Sequence, residues 1–165
     1  MFYIYTSNGK HLLNVPIQHN KGVKQRTRDV KIDYKDDWNK LHLKTLITAY
    51  SSSPFFEFYI DDLLPIFNKQ HIFLLDLNIL SHQIIMEALQ LDLTTSKTNE
   101  FLKETNLKDF RKLAIAKGEP RYNLERYIQV FEQKNGFISN LSILDLLFME
   151  GPNALNYLES QNLNL

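Results

Sequence analysis

A chain of 165 residues, 44% hydrophobic and 12% aromatic, is long enough to bury about 68–70% of the surface its unfolded form exposes. It has no cysteine, which excludes a disulfide framework and thiolate chemistry. Its 19 basic and 19 acidic side chains cancel, so it lacks the strongly basic balance of a nucleic-acid binder, and no apolar run approaches the ~20 residues of a membrane span.

The opening Met1-Phe2-Tyr3-Ile4-Tyr5-Thr6 lacks the basic stretch and long apolar core of a secretory signal, which makes the cytoplasm the expected compartment. Charge is uneven along the chain. Residues 1–44 hold nine basic and four acidic groups, and residues 45–100 hold two basic and seven acidic. Internal complementarity accounts for that bias without a nucleic-acid partner.

In chain order, Phe2 to Thr6 is aromatic and β-branched, Asn8-Gly9 is a type I′ turn signature, and His11 to Ile17 resumes the extended pattern. Pro16 favours an edge or a strand end. Arg26 to Asp33 alternates again, so a three-stranded antiparallel meander is expected. Asp36 or Asp37 caps a helix from Trp38 to about Tyr50, with Trp38, His42, Leu46 and Ala49 on one stripe. Ser51-Ser52-Ser53-Pro54 breaks it, and Pro54 fits the first turn of the next helix, which Pro65 should kink or end unless a new short helix starts there. His71 to Leu91 is long and apolar, with Asp76, Asn78 and Ser81 as polar breaks, of which Asp76 or Asn78 equally suits a cap between two helices. Leu91 to Thr98 reads as a short strand or a loop.

Asn106 to Ala116 and Leu124 to Lys134 read as helices, the second ending at Gly136. Ser142 caps an almost wholly apolar helix to Glu150, and Asn153 caps a last one to about Ser160. The fold class is therefore α+β: a small antiparallel sheet at the N-terminus packed against a mainly helical remainder, as one domain over residues 1–165.

Four constellations offer chemistry. His42 lies one turn after Trp38, and Asp33 closes the preceding strand, so a carboxylate is available to orient an imidazole suited to acid/base work. A histidine packing helix on sheet is the plainer reading. Tyr50-Ser51-Ser52-Ser53 sets hydroxyls that accept and donate bonds before a helix start, where backbone amides can receive a phosphate or carboxylate, although a plain helix corner explains it too. Lys24, Arg26 and Arg28 share a face in an extended strand and suit a phosphate or carboxylate, or a solvated hairpin end. Asp109 and Arg111, grouped with Arg121, Tyr122 and Gln129, do not face one another on a helix, so Arg111 is expected to pair with Asp61 or Asp62, and Gln129 and Asp145, in mostly apolar helices, cap, pair or line a cavity. His11, His19, His42, His71 and His82 show no metal-ligand spacing, and no dinucleotide or phosphate-loop motif occurs, so neither a metal nor a cofactor is expected.

Taken together, Asn8-Gly9 with Leu13-Asn14-Val15-Pro16-Ile17, Arg28-Asp29-Val30-Lys31-Ile32-Asp33, Trp38 with His42, Ala49-Tyr50-Ser51-Ser52-Ser53-Pro54-Phe55-Phe56-Glu57, the run from Gly136 to Phe148, and Glu150-Gly151-Pro152-Asn153-Ala154 resemble the WbqC-like family. The resemblance spans nearly the whole chain. It implies an association with gene clusters for bacterial O-antigen and other surface polysaccharides, hence a cytoplasmic part in making or decorating a sugar precursor. Members of that family usually carry a further upstream segment with a Pro-rich aromatic stretch and an arginine-rich motif, so a member short at its N-terminus is implied.

On this reading the chain is a sugar-modifying or acyl- or aminoacyl-transfer enzyme, and a nucleotide sugar or acyl donor is its partner. His42 is the acid/base and Asp33 orients it. Tyr50 and Ser52 or Ser53 bind sugar hydroxyls, Arg26 or Arg28 binds a phosphate or carboxylate, and Trp38 is a stacking platform. The alternative is a non-catalytic binding or scaffold module, with the apolar helix Leu141–Phe148 as its interface. A groove left by the shorter N-terminus would favour a homodimer.

Overall fold

The computed structural model describes residues 1–19, 22, 25–98, 100–111 and 122–162. Its architecture is α+β. Strand β1, Phe2–Thr6, pairs antiparallel with β2, Gly9–Leu13, in a register that sets Phe2 opposite Leu13 and Thr6 opposite Gly9. The turn is therefore Ser7-Asn8, and the left-handed conformation falls on Gly9 (φ 97°) rather than on Asn8. Thr6 Oγ1 donates to Gly9 O at 3.1 Å and accepts from Asn8 N–H at 3.3 Å.

The expected third strand does not form. Thr27–Asp29 is a single 3₁₀ turn, and residues 30–33 become a short clip between two other segments. Gln18 N–H donates to Lys31 O and Asp33 N–H to Pro16 O, both at 2.9 Å. On the other side Ile32 N–H donates to Ile72 O at 3.0 Å and Leu74 N–H to Val30 O at 2.9 Å. Pro16 has no N–H for a longer ladder. Only Ile32 of the clip is deeply buried, in a small core with Trp38 and Leu77.

Helices α1 (Trp38–Tyr50), α2 (Phe56–Asn68) and α3 (Leu74–Ala88) follow. Asp37 stands at the start of α1 in left-handed backbone (φ 46°), and its side chain makes no cap bond; it takes Lys40 Nζ at 3.1 Å instead. Buried Asn39 donates to Phe67 O at 2.7 Å, which ties α1 to the end of α2. Pro65 lies inside α2 without ending it. It sits on the exposed face, where solvent reaches the carbonyl that its missing N–H leaves free. Helix α3 runs unbroken past Asp76, Asn78 and Ser81, and Ser81 returns its hydroxyl to Leu77 O at 2.8 Å.

Residues 91–98 are loop, and residues 106–110 are not helical; the rest of that expected helix lies outside the described residues. Over 124–134 the expected helix shrinks to α4, Glu132–Asn135. The reason is period. Tyr127 and Gln129 turn inward while Arg126 and Ile128 face out, which is strand-like alternation. Gln129 uses both ends of its amide on the Ile138 backbone, giving to O and taking from N–H at 2.8 Å each.

Gly136 ends α4 with φ 76°. Helix α5, Ile143–Glu150, is capped by Ser142 Oγ, which accepts Leu144 N–H at 3.3 Å, and Ser142 N–H donates to Tyr3 O at 2.7 Å. Leu144, Leu146, Leu147 and Phe148 are buried, and the Phe148 ring sits 5.1 Å from Tyr50 and 5.0 Å from Phe56. The apolar helix is thus the centre of the core that β1, α1 and α2 enclose, and its sides are not available as an interface. Gly151 follows in left-handed backbone (φ 53°), where a Cβ would stand 2.5 Å from the Phe55 ring. Helix α6, Ala154–Ser160, closes the described chain; Asn153 stands at its start without a side-chain cap bond. No helix of the described residues is long and apolar enough to cross a membrane.

Candidate functional site

The last turn of α1 delivers the serine corner. Ser51 N–H donates to Ile47 O at 3.0 Å and Ser53 N–H to Tyr50 O at 2.8 Å, so the chain reverses tightly before α2. Ser52 is exposed. Ser53 is only 8% exposed, and its Oγ has no hydrogen-bond partner among the described residues. A buried hydroxyl left unpaired costs about 1–3 kcal/mol, so its position asks for an explanation.

Both serines line a cleft of about 870 Å³. The opposite wall comes from residues 126–136, with Arg126, Glu132 and Lys134 as its charges and Ile128, Val130 and Phe131 as its apolar part; Met149 of α5 completes it. Its volume falls within the ~300–1,000 Å³ of small-molecule sites.

What holds that wall is a buried carboxylate. Asp145 of α5 is 0% exposed. Its Oδ1 accepts the Tyr50 hydroxyl and its Oδ2 the Tyr127 hydroxyl, each at 2.6 Å, and Tyr50 oxygen takes Tyr5 N–H at 2.9 Å. Burial pushes the Asp145 carboxyl above the usual carboxylate range, and the donations from Tyr127 and Tyr50 oppose that rise. Burial first and the Asp145 charge second push both tyrosine hydroxyls up, so they stay protonated donors. Tyr5 donates to Gly136 O at 2.5 Å, and Lys134 Nζ reaches Ser7 O at 2.9 Å, which pins the far end of the wall to the hairpin. Arg126 pairs with Glu132 and lies 5.3 Å from the Phe137 ring centre. That pairing, with Gln129 N–H, lowers the Glu132 carboxyl.

The structure brings together three of the expected site residues. Tyr50, Ser52 and Ser53 belong to one corner, Ser52 and Ser53 at the cleft and Tyr50 behind it on Asp145. The others lie elsewhere. His42 is 4% exposed, edge-on to Phe2 at 6.0 Å and to Trp38 at 5.1 Å, and its Nδ1 has no partner among the described residues. Burial, then the N-terminal amine and His11, push its pKa down to about 4, against a smaller opposing backbone contact with Asn14. Trp38 is buried beside Tyr34, with rings 5.6 Å apart, and presents no free face to the cleft. Asp33 spends its carboxylate locally, on Lys35 N–H at 3.1 Å and Lys35 Nζ at 3.7 Å. Among the described residues no hydrogen bond or ion pair joins it to His42.

Arg26 precedes the 3₁₀ turn, Arg28 is exposed and pairs with Asp29 at 3.7 Å, and neither lines the cleft. Lys24 and Arg121 lie outside the described residues. Arg111 does not reach Asp61 or Asp62. It turns onto Asp109, from Nε to Oδ1 at 2.8 Å and to Oδ2 at 2.9 Å.

Sequence reasoning missed Arg126, Glu132 and Lys134, because a helix over 124–134 scatters them around its axis. The alternation from Arg126 to Gln129 was the signal that could have aligned them. A family model described as the WbqC-like protein family matches residues 2–128, which include Ser52, Ser53 and Arg126. No curated protein and no solved structure matches the chain.

Proposed function

The chain belongs to the WbqC-like protein family, and on that premise we propose that it serves bacterial surface-polysaccharide (O-antigen) biosynthesis by holding a sugar substrate in the serine-corner cleft. The observation that carries the reading is Ser53 Oγ, buried and without a partner among the described residues, in a residue that lines a cleft of about 870 Å³. The Oγ is closed off from solvent, so a sugar hydroxyl reaches it only as the corner yields, and then supplies the partner that the protein withholds. Ser52 adds a second hydroxyl, and Ile128, Val130 and Phe131 offer an apolar face for the ring. The chemistry this supports is modification of a sugar precursor, by acyl or aminoacyl transfer or a related step, with a nucleotide sugar or acyl donor as partner.

His42 enters this reading as packing. A ring with pKa about 4, enclosed by Phe2 and Trp38, is neutral at physiological pH and faces aromatic edges. A thermal-shift series with nucleotide sugars, acyl donors and free sugars tests the reading. A ligand at 100 times its Kd stabilises the fold by about 2.7 kcal/mol. Stabilisation by a sugar-bearing ligand that vanishes in Ser53→Ala is expected, and a ligand that stabilises Ser53→Ala equally well would remove the cleft from the reading.

A further inference from the structure

We propose that Glu132 stands in for a ligand's oxyanion: Arg126 and Lys134 receive a phosphate or carboxylate in the cleft, and Glu132 is the internal acid that the bound group displaces. This rests on the reading of the cleft as a ligand site.

Glu132 has both oxygens engaged, Oε1 by Arg126 and Oε2 by Gln129 N–H at 3.3 Å. Gln129 has spent both ends of its amide on Ile138. Arg126 has five N–H donors and gives one to Glu132; Lys134 has three and gives one to Ser7 O. Ser53 Oγ–H is unspent. Free N–H donors on the two cations outnumber the lone pairs left on the one carboxylate, so the ligand that suits them is rich in acceptors and negative.

Geometry supports an exchange. Arg126 is an exposed side chain at the cleft, its guanidinium is set over the Phe137 ring, and the planar fork suits a bidentate oxyanion. Glu132 is ionised at neutral pH, since its partners lower its pKa, so it competes for the same fork. Ile128, 74% exposed on the same wall, offers apolar surface to the rest of such a ligand.

The test is calorimetric titration of the full chain with inorganic pyrophosphate, glucuronate and glucose at low and high salt. Pyrophosphate or glucuronate is expected to bind, and more weakly as salt rises. Pyrophosphate alone identifies a phosphate group, and glucuronate alone a carboxylate. Glu132→Gln should bind the anion about two- to fivefold more tightly, the range of an exposed ion pair removed as competitor. Arg126→Gln should bind it roughly tenfold or more weakly. Arg126→Lys, which keeps charge without the fork, should fall between, and it serves where Glu132→Gln fails to fold. Equal anion affinity in wild type and Glu132→Gln, or no loss in Arg126→Gln and Arg126→Lys, overturns the proposal. Glucose binding without anion binding overturns it and leaves the sugar cleft standing; no binding of any of the three defeats both.

Discussion

The Tyr50 hydroxyl donates to Asp145 Oδ1 at 2.6 Å across 95 residues of chain, and Tyr127 takes the other oxygen. One carboxylate thereby joins the end of α1, the helix at the centre of the core, and the wall of the cleft. Asp145→Ala leaves two tyrosine hydroxyls buried without acceptors. A loss of roughly 3 kcal/mol or more in urea unfolding is expected, since bonds to a charged group contribute about 1.5–3 kcal/mol each. Tyr127→Phe should lose about 1.5–3 kcal/mol. In a double-mutant cycle Tyr50→Phe and Tyr127→Phe should be non-additive, because they share one acceptor. Additive losses would mean that the two hydroxyls act separately.

The close approach at Gly151 gives a second test. Alanine there meets the Phe55 ring at 2.5 Å and is also strained by the left-handed backbone. Gly151→Ala should destabilise by about 1–3 kcal/mol. Phe55→Leu should restore part of that loss by vacating ring atoms. A thermal melt of the pair decides between the two causes: no restoration would assign the whole effect to backbone strain.

Acid stability follows from His42 and Asp145, which act in opposite directions. The folded-state pKa of His42, about 4, lies below its unfolded value of ~6.5. Between these values the unfolded chain binds the proton, so the stability associated with neutral His42 is present above pH ~6.5 and is lost as pH falls toward 4. The N-terminal amine and His11 both oppose a charge on the ring, and the backbone contact with Asn14 offsets them only in part. Asp145 is raised by burial, so its destabilising contribution is absent below the unfolded carboxylate range and grows as pH rises through its folded value. Urea midpoints measured from pH 7 to 4.5 should fall in wild type and fall less in His42→Leu. Parallel curves for the two proteins would show that the ring titrates normally.

Much of the fold was legible because its elements are written in strong local chemistry. The Trp38–Tyr50 stripe, Ser142 before an apolar run, and Asn153 ahead of the last helix all fall where the sequence placed them. The third strand was not legible, since Arg26 to Asp33 has the right alternation but finds partners on two different segments that no local pattern reveals. The site was half legible. Tyr50, Ser52 and Ser53 stand together because they are neighbours in sequence. Their counterpart, Arg126 to Lys134, was hidden by a composition that fits a helix as well as it fits an extended wall, and only the distant partners Asp145 and Ile138 decide between them. Asp145 itself was visible only as a charge in an apolar helix.

Ser53 separates stability from binding. Its Oγ makes no hydrogen bond, so Ser53→Ala removes an unsatisfied buried group and not a contact. The Ser53 N–H to Tyr50 O bond survives the change because it is made by backbone. Folding stability should therefore hold within about 0.5 kcal/mol of wild type, or rise by up to about 1–3 kcal/mol as the desolvated hydroxyl is removed. Ligand-induced stabilisation should drop at the same time, because the unpartnered hydroxyl at the corner is gone. Melting curves of wild type and Ser53→Ala, each with and without a sugar ligand, measure both quantities in one experiment. A loss of stability of 2 kcal/mol or more without ligand would reveal that the hydroxyl already has a structural partner, and the argument from an unspent donor would fail.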